Sequence, residues 1–149
     1  MSRRSKLRSR LLCAGLLLAV ALPLSACNEI EEESSVGYEP AKLASVKGDD
    51  DVQRVTFTAE GARRVDLQTA PVKRSGKQKL VPYEALIYDA AGKTYVYASP
   101  ERLTFLREPV SVDRVEGNRV FLTVGPRAGT RVVTVGATEV YGTEFEVGH

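Results

Sequence analysis

The stretch ALIYDAAGKTYVYAS, residues 85–99, gives the strongest local indication of the fold. Two runs rich in aromatic and β-branched residues flank the turn sequence DAAG at 89–92. Such runs favour β-strands, and Gly92 can adopt the positive φ that a tight turn requires. The stretch therefore predicts a β-hairpin with its turn at residues 89–92.

Short β-rich segments continue on both sides of this hairpin. QRVTFTA at 53–59 alternates apolar and polar residues and predicts a half-buried strand, whereas EGARRVDL at 60–67 predicts a short helical turn. Residues 102–124 predict a long strand, an EGN turn and a second strand, and residues 125–137 predict a glycine-rich turn before another strand. About six short strands without a long helical pattern predict an all-β domain, a small roll or barrel-like fold, over residues 52–149.

The apolar positions of these segments predict one modest core. The residues expected in or near it are Val55, Phe57, Leu67, Leu86, Val96, Val110, Val112, Val120, Leu122, Val132, Val133 and Val135.

The N-terminal residues 1–26 have the pattern of a secretory signal. Five cations precede the apolar run LLCAGLLLAVAL at 11–22, which is shorter than the about 20 apolar residues of a membrane-spanning helix. The following LSAC at 24–27 resembles the lipobox of bacterial lipoproteins, which implies cleavage before Cys27 and acylation of its sulfur. The alternative is an ordinary signal-peptidase site that leaves Cys27 as a free thiol. Both interpretations predict an extracytoplasmic protein, and the first predicts one that is lipid-anchored to the cell membrane.

The segment after the lipobox is acidic. Residues 28–51 carry eight acidic side chains against Lys42 and Lys47, and few apolar ones. Such a composition buries too little surface to offset the entropy of ordering. We therefore expect residues 27–51 to form a lipid-anchored flexible linker. The remaining residues 52–149 have a net charge of about +3 by residue count.

The sequence offers little for catalysis or metal binding. His149 is the single histidine and stands at the chain end, where surrounding structure rarely holds a general base or a ligand. Two carboxylate pairs, Glu101 with Glu108 and Glu144 with Glu146, have no pattern that places them across a cleft. We predict a non-catalytic protein without a cofactor or a metal.

Two other groups of side chains suggest binding. The stretch KRSGKQK at 73–79 contains Lys73, Arg74, Lys77 and Lys79, but the domain is too weakly basic for a nucleic-acid-binding protein. This stretch is expected to be a solvated turn, with contact to lipid headgroups or a partner as the alternative. Tyrosines surround the predicted hairpin, where cross-strand packing explains them and a ligand platform is the alternative. They are Tyr83, Tyr88, Tyr95 and Tyr97.

Residues 52–149 resemble periplasmic adaptor proteins, also called membrane fusion proteins, of resistance-nodulation-division efflux systems. The resemblance rests on the order and spacing of VPYEAL at 81–86, DAAGKTYVYAS at 89–99, REPVSVDRVEGNRVFLTVGPRAGTRVVTVG at 107–136 and ATEVYGTEF at 137–145. In that family the first and last chain segments form a membrane-proximal β-roll that docks on a transporter. Between them the family carries a lipoyl domain, a helical hairpin and a β-barrel. Here KRSGKQK stands in their place.

The resemblance implies a minimal adaptor or accessory subunit that binds an efflux permease by protein–protein contact. Its docking surface is distributed in the family, so no binding residue is carried over, and Cys27 is the one site residue expected. An extracytoplasmic ligand- or metal-binding lipoprotein and a structural envelope lipoprotein are the alternatives.

We predict that Cys27→Ala abolishes incorporation of labelled fatty acid and releases the protein from the membrane fraction. Cys13→Ala is the matched control, because Cys13 lies inside the predicted signal. Unchanged labelling and membrane retention of Cys27→Ala would contradict the predicted anchor.

Overall fold

The computed structural model describes residues 39–145, which form two antiparallel sheets and two short helices. The first sheet has the strand order β1-β2-β8-β7-β11-β3, with β6 paired to β7, and the second has the order β4-β5-β10-β9. The predicted all-β class is confirmed, and the sheets do not close into a barrel. The strands are β1 Ala41–Val46, β2 Asp49–Phe57, β3 Gln68–Pro71, β4 Lys73–Ser75, β5 Gln78–Pro82, β6 Ile87–Tyr88, β7 Thr94–Glu101, β8 Thr104–Pro109, β9 Ser111–Glu116, β10 Arg119–Val124 and β11 Arg131–Val135; the helices are α1 Ala59–Arg64 and α2 Ala137–Glu144.

The hairpin predicted at residues 85–99 is present as β6 and β7. The Asp89 carboxylate accepts hydrogen bonds from the backbone N–H groups of Ala91 and Lys93 at 2.9 and 2.8 Å. Gly92 has a φ of 78°, which a residue with a side chain rarely adopts. The aspartate and the glycine thus close the turn locally, which is why the sequence alone was sufficient to predict it.

The helical turn predicted after residue 59 is α1. Thr58 caps it by accepting a hydrogen bond from the N–H of Gly61 at 2.9 Å, as helix N-caps usually do. Glu60 in the first turn pairs with Arg64 in the last turn at 2.7 Å. These charges also have the favourable order for the helix dipole.

The long strand expected after residue 102 is two strands in different sheets. β8 belongs to the first sheet and β9 to the second, with the buried Val110 between them. Val72 makes the same kind of crossing between β3 and β4, and its backbone pairs with the loop at Gly129 and Thr130. The sheets are therefore joined by single buried valines at two corners, which the alternation of residue types does not reveal.

Successive residues of the central strands point to opposite faces of the first sheet, so this sheet is buried on both sides. Val96 and Val132 pack against the second sheet, whereas Tyr97 and Val133 pack against the helices. The helices, the first sheet and the second sheet thus form three layers. The inter-sheet cluster contains Val72, Val81, Ala85, Leu86, Val96, Val110, Val120, Leu122 and Val132, and the helix-side cluster contains Val55, Phe57, Ala62, Tyr97, Phe105, Val133, Ala137 and Val140.

The predicted core is confirmed except at two positions. Val112 and Val135 are 37% and 39% exposed, whereas Leu67 is partly buried and packs against the helix-side cluster, as expected of a residue near the core. Val112 lies on β9, an edge strand of the second sheet, and Val135 follows a register shift at the end of β11. Apolar residue type predicted burial at these positions, but an edge and a strand end leave them without a covering layer.

The predicted boundary at residue 52 falls inside β2, so residues 41–51 are not a flexible linker. They form β1 and the start of β2, with Gly48 at a φ of 88° in the turn between the strands. Ala41 and Leu43 pack against the helix-side cluster, while the acidic residues 49–51 stay exposed. The acidic composition of this segment predicted a linker. Its few apolar residues are nevertheless packed against residues that are distant in sequence, and composition does not show such contacts. The predicted signal, Cys27 and the rest of the predicted linker lie outside the described residues.

Gly61 provides a test of the docking of this N-terminal hairpin. A Cβ at Gly61 would lie 2.3 Å from the carbonyl oxygen of Pro40, which also accepts a hydrogen bond from the N–H of Thr58 at 2.9 Å. Helix propensity alone favours alanine over glycine by about 1 kcal/mol. Because of the clash, we expect Gly61→Ala instead to lower the free energy of unfolding by about 1–3 kcal/mol in chemical denaturation.

Gly117→Ala is the control for this prediction. Gly117 has a φ of 58° and open space around it, so alanine there carries only a left-handed backbone cost of about 1 kcal/mol. A stabilising Gly61→Ala would show that Pro40 does not lie over α1.

Candidate functional site

The most elaborate polar arrangement of the described residues surrounds Glu144, the last residue of α2. Its carboxylate is 1% exposed and accepts hydrogen bonds from the hydroxyl of Tyr97 at 2.5 Å, from Nε of Arg107 at 3.0 and 3.2 Å and from the N–H of Gln53 at 3.2 Å. The side-chain amide of Gln53 in turn donates to the Glu144 carbonyl oxygen at 3.4 Å. We call these four residues the Glu144 cluster. It joins α2 to β2, β7 and β8.

Arg107 extends the Glu144 cluster toward the surface. Its side chain is 8% exposed, and a terminal nitrogen of its guanidinium donates to the Asp51 carbonyl oxygen at 2.6 Å. The guanidinium also lies 4.7 Å from the ring centre of Tyr95 and 5.0 Å from that of Phe145. Such cation–π contacts stabilise a partly desolvated arginine. Arg107 therefore links the N-terminal hairpin, the central sheet and the residue that follows α2.

The Glu144 cluster contains residue types that are common in active sites, but its hydrogen-bond pattern is that of a structural anchor. Both carboxylate oxygens of Glu144 accept hydrogen bonds here, from three donor groups of which the Arg107 Nε–H is shared between the two oxygens. Every buried side-chain nitrogen and oxygen in residues 39–145 has a hydrogen-bond partner. Glu144 thus has no free oxygen with which to take a proton from a substrate.

The pKa values of the two donors favour this locked state. Burial, together with the hydrogen bond to Glu144, raises the pKa of Tyr97 far above its ordinary value of 10.0. Burial alone would lower the pKa of Arg107, but the neighbouring charge and hydrogen bonds of Glu144 raise it. Tyr97 stays a neutral donor and Arg107 a cation at any physiological pH.

One signal in the sequence could have revealed Glu144. Ala137, Val140 and Glu144 are spaced i, i+3, i+7 and therefore lie on one face of a helix. Ala137 and Val140 are buried, so Glu144 continues the buried stripe. A carboxylate on such a stripe requires a cationic partner, because an unpaired buried charge is very costly. Which cation pairs with Glu144 depends on the register of the sheet, so the sequence alone could not identify Arg107.

The basic stretch 73–79 forms a hairpin of β4 and β5 at an edge of the second sheet rather than a solvated turn alone. Lys73, Arg74 and Lys77 are exposed. Lys79 differs from them because it is half-buried and its ammonium donates to the Gly125 carbonyl oxygen at 2.5 Å. Lys73, Arg74 and Lys77 thus form a solvent-facing patch, which we call the basic hairpin. The fourth cation, Lys79, instead binds the loop at Gly125.

The four tyrosines do not form one platform. Tyr95 and Tyr97 share a face of β7, where they contact Arg107 and Glu144 respectively. Tyr83 and Tyr88 are about half exposed, and partial burial together with the neighbouring Tyr83 raises the pKa of Tyr88. Packing accounts for the first pair, and only the second pair faces solvent.

A groove of about 350 Å³ lies on the first sheet beside the β7–β8 turn. Its apolar wall includes Leu103 and Phe105, and its charged rim includes Arg102 and Arg131. Leu103 has a φ of 60°, an uncommon backbone conformation for leucine, while Arg131 is held by two hydrogen bonds to Thr69. The volume of the groove is near the lower end of the range for small-molecule sites, and its lining combines apolar and charged residues.

The two carboxylate pairs noted in the sequence are not brought together in the described residues. Glu101 and Glu108 lie at opposite ends of the β7–β8 ladder, and Glu146 and His149 lie outside residues 39–145. No group of three or more His, Cys, Asp or Glu side chains in that range could hold a metal ion. Neither α1 nor α2 has the length and hydropathy of a membrane span.

No family model, curated protein or solved structure matches the chain.

We predict that Glu144→Gln lowers the free energy of unfolding by about 3 kcal/mol, because it leaves the buried Arg107 without a counter-charge. Glu139→Gln, an exposed position on the same helix, should change stability by less than about 0.5 kcal/mol. Chemical denaturation measures both values. Equal effects of the two substitutions would contradict an anchoring role for Glu144.

The raised pKa of Tyr97 predicts a loss of stability at alkaline pH. Above pH 10 the unfolded chain loses the Tyr97 proton while the folded chain retains it, so unfolding becomes more favourable as pH rises. Tyr97 makes its full contribution to the free energy of unfolding below pH 10. Well above pH 10 this contribution falls by about 1.4 kcal/mol per pH unit. We therefore expect the stability difference between the native protein and Tyr97→Phe to shrink from pH 9 to pH 11. A constant difference would contradict this.

The basic hairpin and Lys79 should respond differently to neutralisation. We expect the triple change Lys73→Gln, Arg74→Gln and Lys77→Gln to leave thermal stability unchanged, because these side chains are exposed. Lys79→Gln should lower the free energy of unfolding by about 1 kcal/mol, since the Gly125 carbonyl loses a donor. Destabilisation by the triple change would show that the hairpin has a packing role.

Proposed function

We propose that the protein is a non-catalytic, lipid-anchored accessory subunit of a membrane efflux transporter that acts by protein–protein docking. The observation that carries the proposal is the meeting of the early and late chain segments around one β domain. β2 contacts α2 through Gln53 and Glu144, although 91 positions separate these residues. The resembling adaptors bring their first and last segments together in the same way.

The position of the basic hairpin supports the same proposal. The adaptors carry their lipoyl, helical-hairpin and barrel domains between the two halves of the membrane-proximal domain. Here Ser75 and Gln78 pair directly across a turn of two residues. Residues 39–145 therefore resemble the part of an adaptor that lies on the transporter, without the part that reaches away from it.

The use of buried polar groups also favours docking over chemistry. The polar groups of Glu144, Tyr97 and Arg107 hydrogen-bond to one another and connect α2 to the first sheet. The side chains that remain available to a partner are on surfaces: the basic hairpin, the exposed Tyr83 and Tyr88, and the outer strands of the second sheet. A small domain with a rigid interior and several accessible surfaces suits a binding role.

Crosslinking in intact membranes tests this function. A photoreactive residue is placed at Lys77, at Tyr83 and at the control position Arg63 on α1, and captured proteins are identified by mass spectrometry. We expect a transporter with many membrane-spanning helices to be captured from at least one of the first two positions and to be lost in Cys27→Ala. Capture of envelope polymer or of no protein from every position would overturn the proposal.

The groove favours a second candidate, an extracytoplasmic ligand-binding lipoprotein. Its lining has two cations, Arg102 and Arg131, against one acid, Glu101, and together with the apolar wall this suits a small amphiphilic anion. Binding of the fluorescent probe anilinonaphthalene sulfonate provides the test, with Arg102→Ala compared with Arg63→Ala. Saturable binding that only Arg102→Ala weakens would support this candidate, and binding insensitive to both would exclude it.

A further inference from the structure

The edge strand β9 differs from the other strands because all six of its residues are exposed. It ends the second sheet, and no other strand of residues 39–145 pairs with its outer edge. Val112 and Val115 are nevertheless apolar and 37% and 45% exposed. An open strand edge with apolar side chains is a template for pairing with another strand.

The two faces of β9 carry different chemistry. Val112 and Val115 pair with Leu122 and Val120, whose side chains are completely buried, so the two valines continue the inner face of the sheet beyond the core. Arg114 pairs with Phe121 and covers its ring at 3.7 Å on the outer face.

Asp113 shares that outer face with Arg114 because of a register shift in the β9–β10 ladder. Arg114 pairs with Phe121 and Val112 with the adjacent Leu122, so Asp113 is an extra residue, as in a β-bulge. The Asp113 carboxylate accepts hydrogen bonds from Arg114 at 3.0 Å and from the outer-face Gln78 at 2.9 Å. Arg114 also pairs with Glu116 at 2.7 Å on this outer face. β9 thus has two valines on one face and, on the other, the adjacent Asp113 and Arg114 followed by Glu116.

We propose that two copies of the chain pair through β9, antiparallel and related by a two-fold axis between Asp113 and Arg114. In this register Val112 of each copy lies opposite Val115 of the other, on the same face. Asp113 of each copy lies opposite Arg114 of the other, also on the same face. The valine pairs and the two opposite-charge pairs are the cross-strand neighbours that stabilise antiparallel sheets.

The charges select both this partner and this register. A two-fold axis at Arg114 would place the two arginines opposite each other, and an axis at Asp113 would do the same with the two aspartates. The bulge places Asp113 and Arg114 on one face, so that with the axis between them the extra residue Asp113 of each copy meets Arg114 of the other. A foreign strand without such a bulge has no matching pair of adjacent charges on one face. The second copy is therefore the occupant that the strand fits, and this inference is independent of the proposed transporter partner.

A charge-mixing experiment tests the proposal. Asp113→Arg makes the central pair all basic, and Arg114→Asp makes it all acidic, so each variant would face like charges in its own dimer. In a mixture, each variant would meet two opposite charges. Sedimentation velocity of the full-length chain in density-matched detergent, over a concentration series, measures dimerisation of the native protein, of each variant and of the equimolar mixture. Circular dichroism verifies that each variant is folded.

We expect the native protein to dimerise, each variant alone to dimerise about tenfold more weakly, and the mixture to recover the native affinity. All samples share residues 1–38, so association through that segment would not follow the charge pattern. A native protein that stays monomeric, or a mixture no more dimeric than its components, would overturn the proposal. As a second readout, Val115→Lys should weaken dimerisation while Val124→Lys, on the exposed part of β10, should not.

Discussion

The buried carboxylate of Glu144 is the interaction on which the arrangement of this domain depends. A lone carboxylate in a protein interior is strongly unfavourable, so burial of Glu144 requires Tyr97, Arg107 and the N–H of Gln53 to be in place together. These groups come from the consecutive strands β7 and β8 and from β2, which lies far from both in sequence. The final helix can dock only when the sheet has its native register, and this requirement links the two ends of the described chain.

The three-layer architecture follows from the double burial of the first sheet. Val96 and Tyr97 are both fully buried although they point to opposite faces, and Val132 and Val133 behave in the same way. One face is covered by the second sheet and the other by the two helices. Within residues 39–145 the second sheet is covered on one face only, so this part of the chain leaves its outer face and the edge strand β9 open to contact.

The surfaces therefore divide by role. The interior polar groups stabilise the fold, the basic hairpin and the exposed tyrosines face solvent, and β9 presents a strand edge with self-complementary charges. An accessory subunit that binds a transporter and a second copy of itself would use such surfaces together. The groove beside the β7–β8 turn is the one feature of the described residues that instead favours a small ligand.

Features that depend on neighbouring residues along the chain could be predicted before the fold was known. The DAAG and EGN turns, the capped helix α1, the all-β class and most of the core could be predicted, because each rests on local geometry or alternation. The N-terminal hairpin, the corners at Val72 and Val110, the exposure of Val112 and the partners of Glu144 could not. Each of these depends on which strands lie side by side, and the same residue types are compatible with several registers. Glu144 is recognisable as an anchor rather than a surface charge only in the folded domain, because a tyrosine, an arginine and a backbone amide converge on its carboxylate only there.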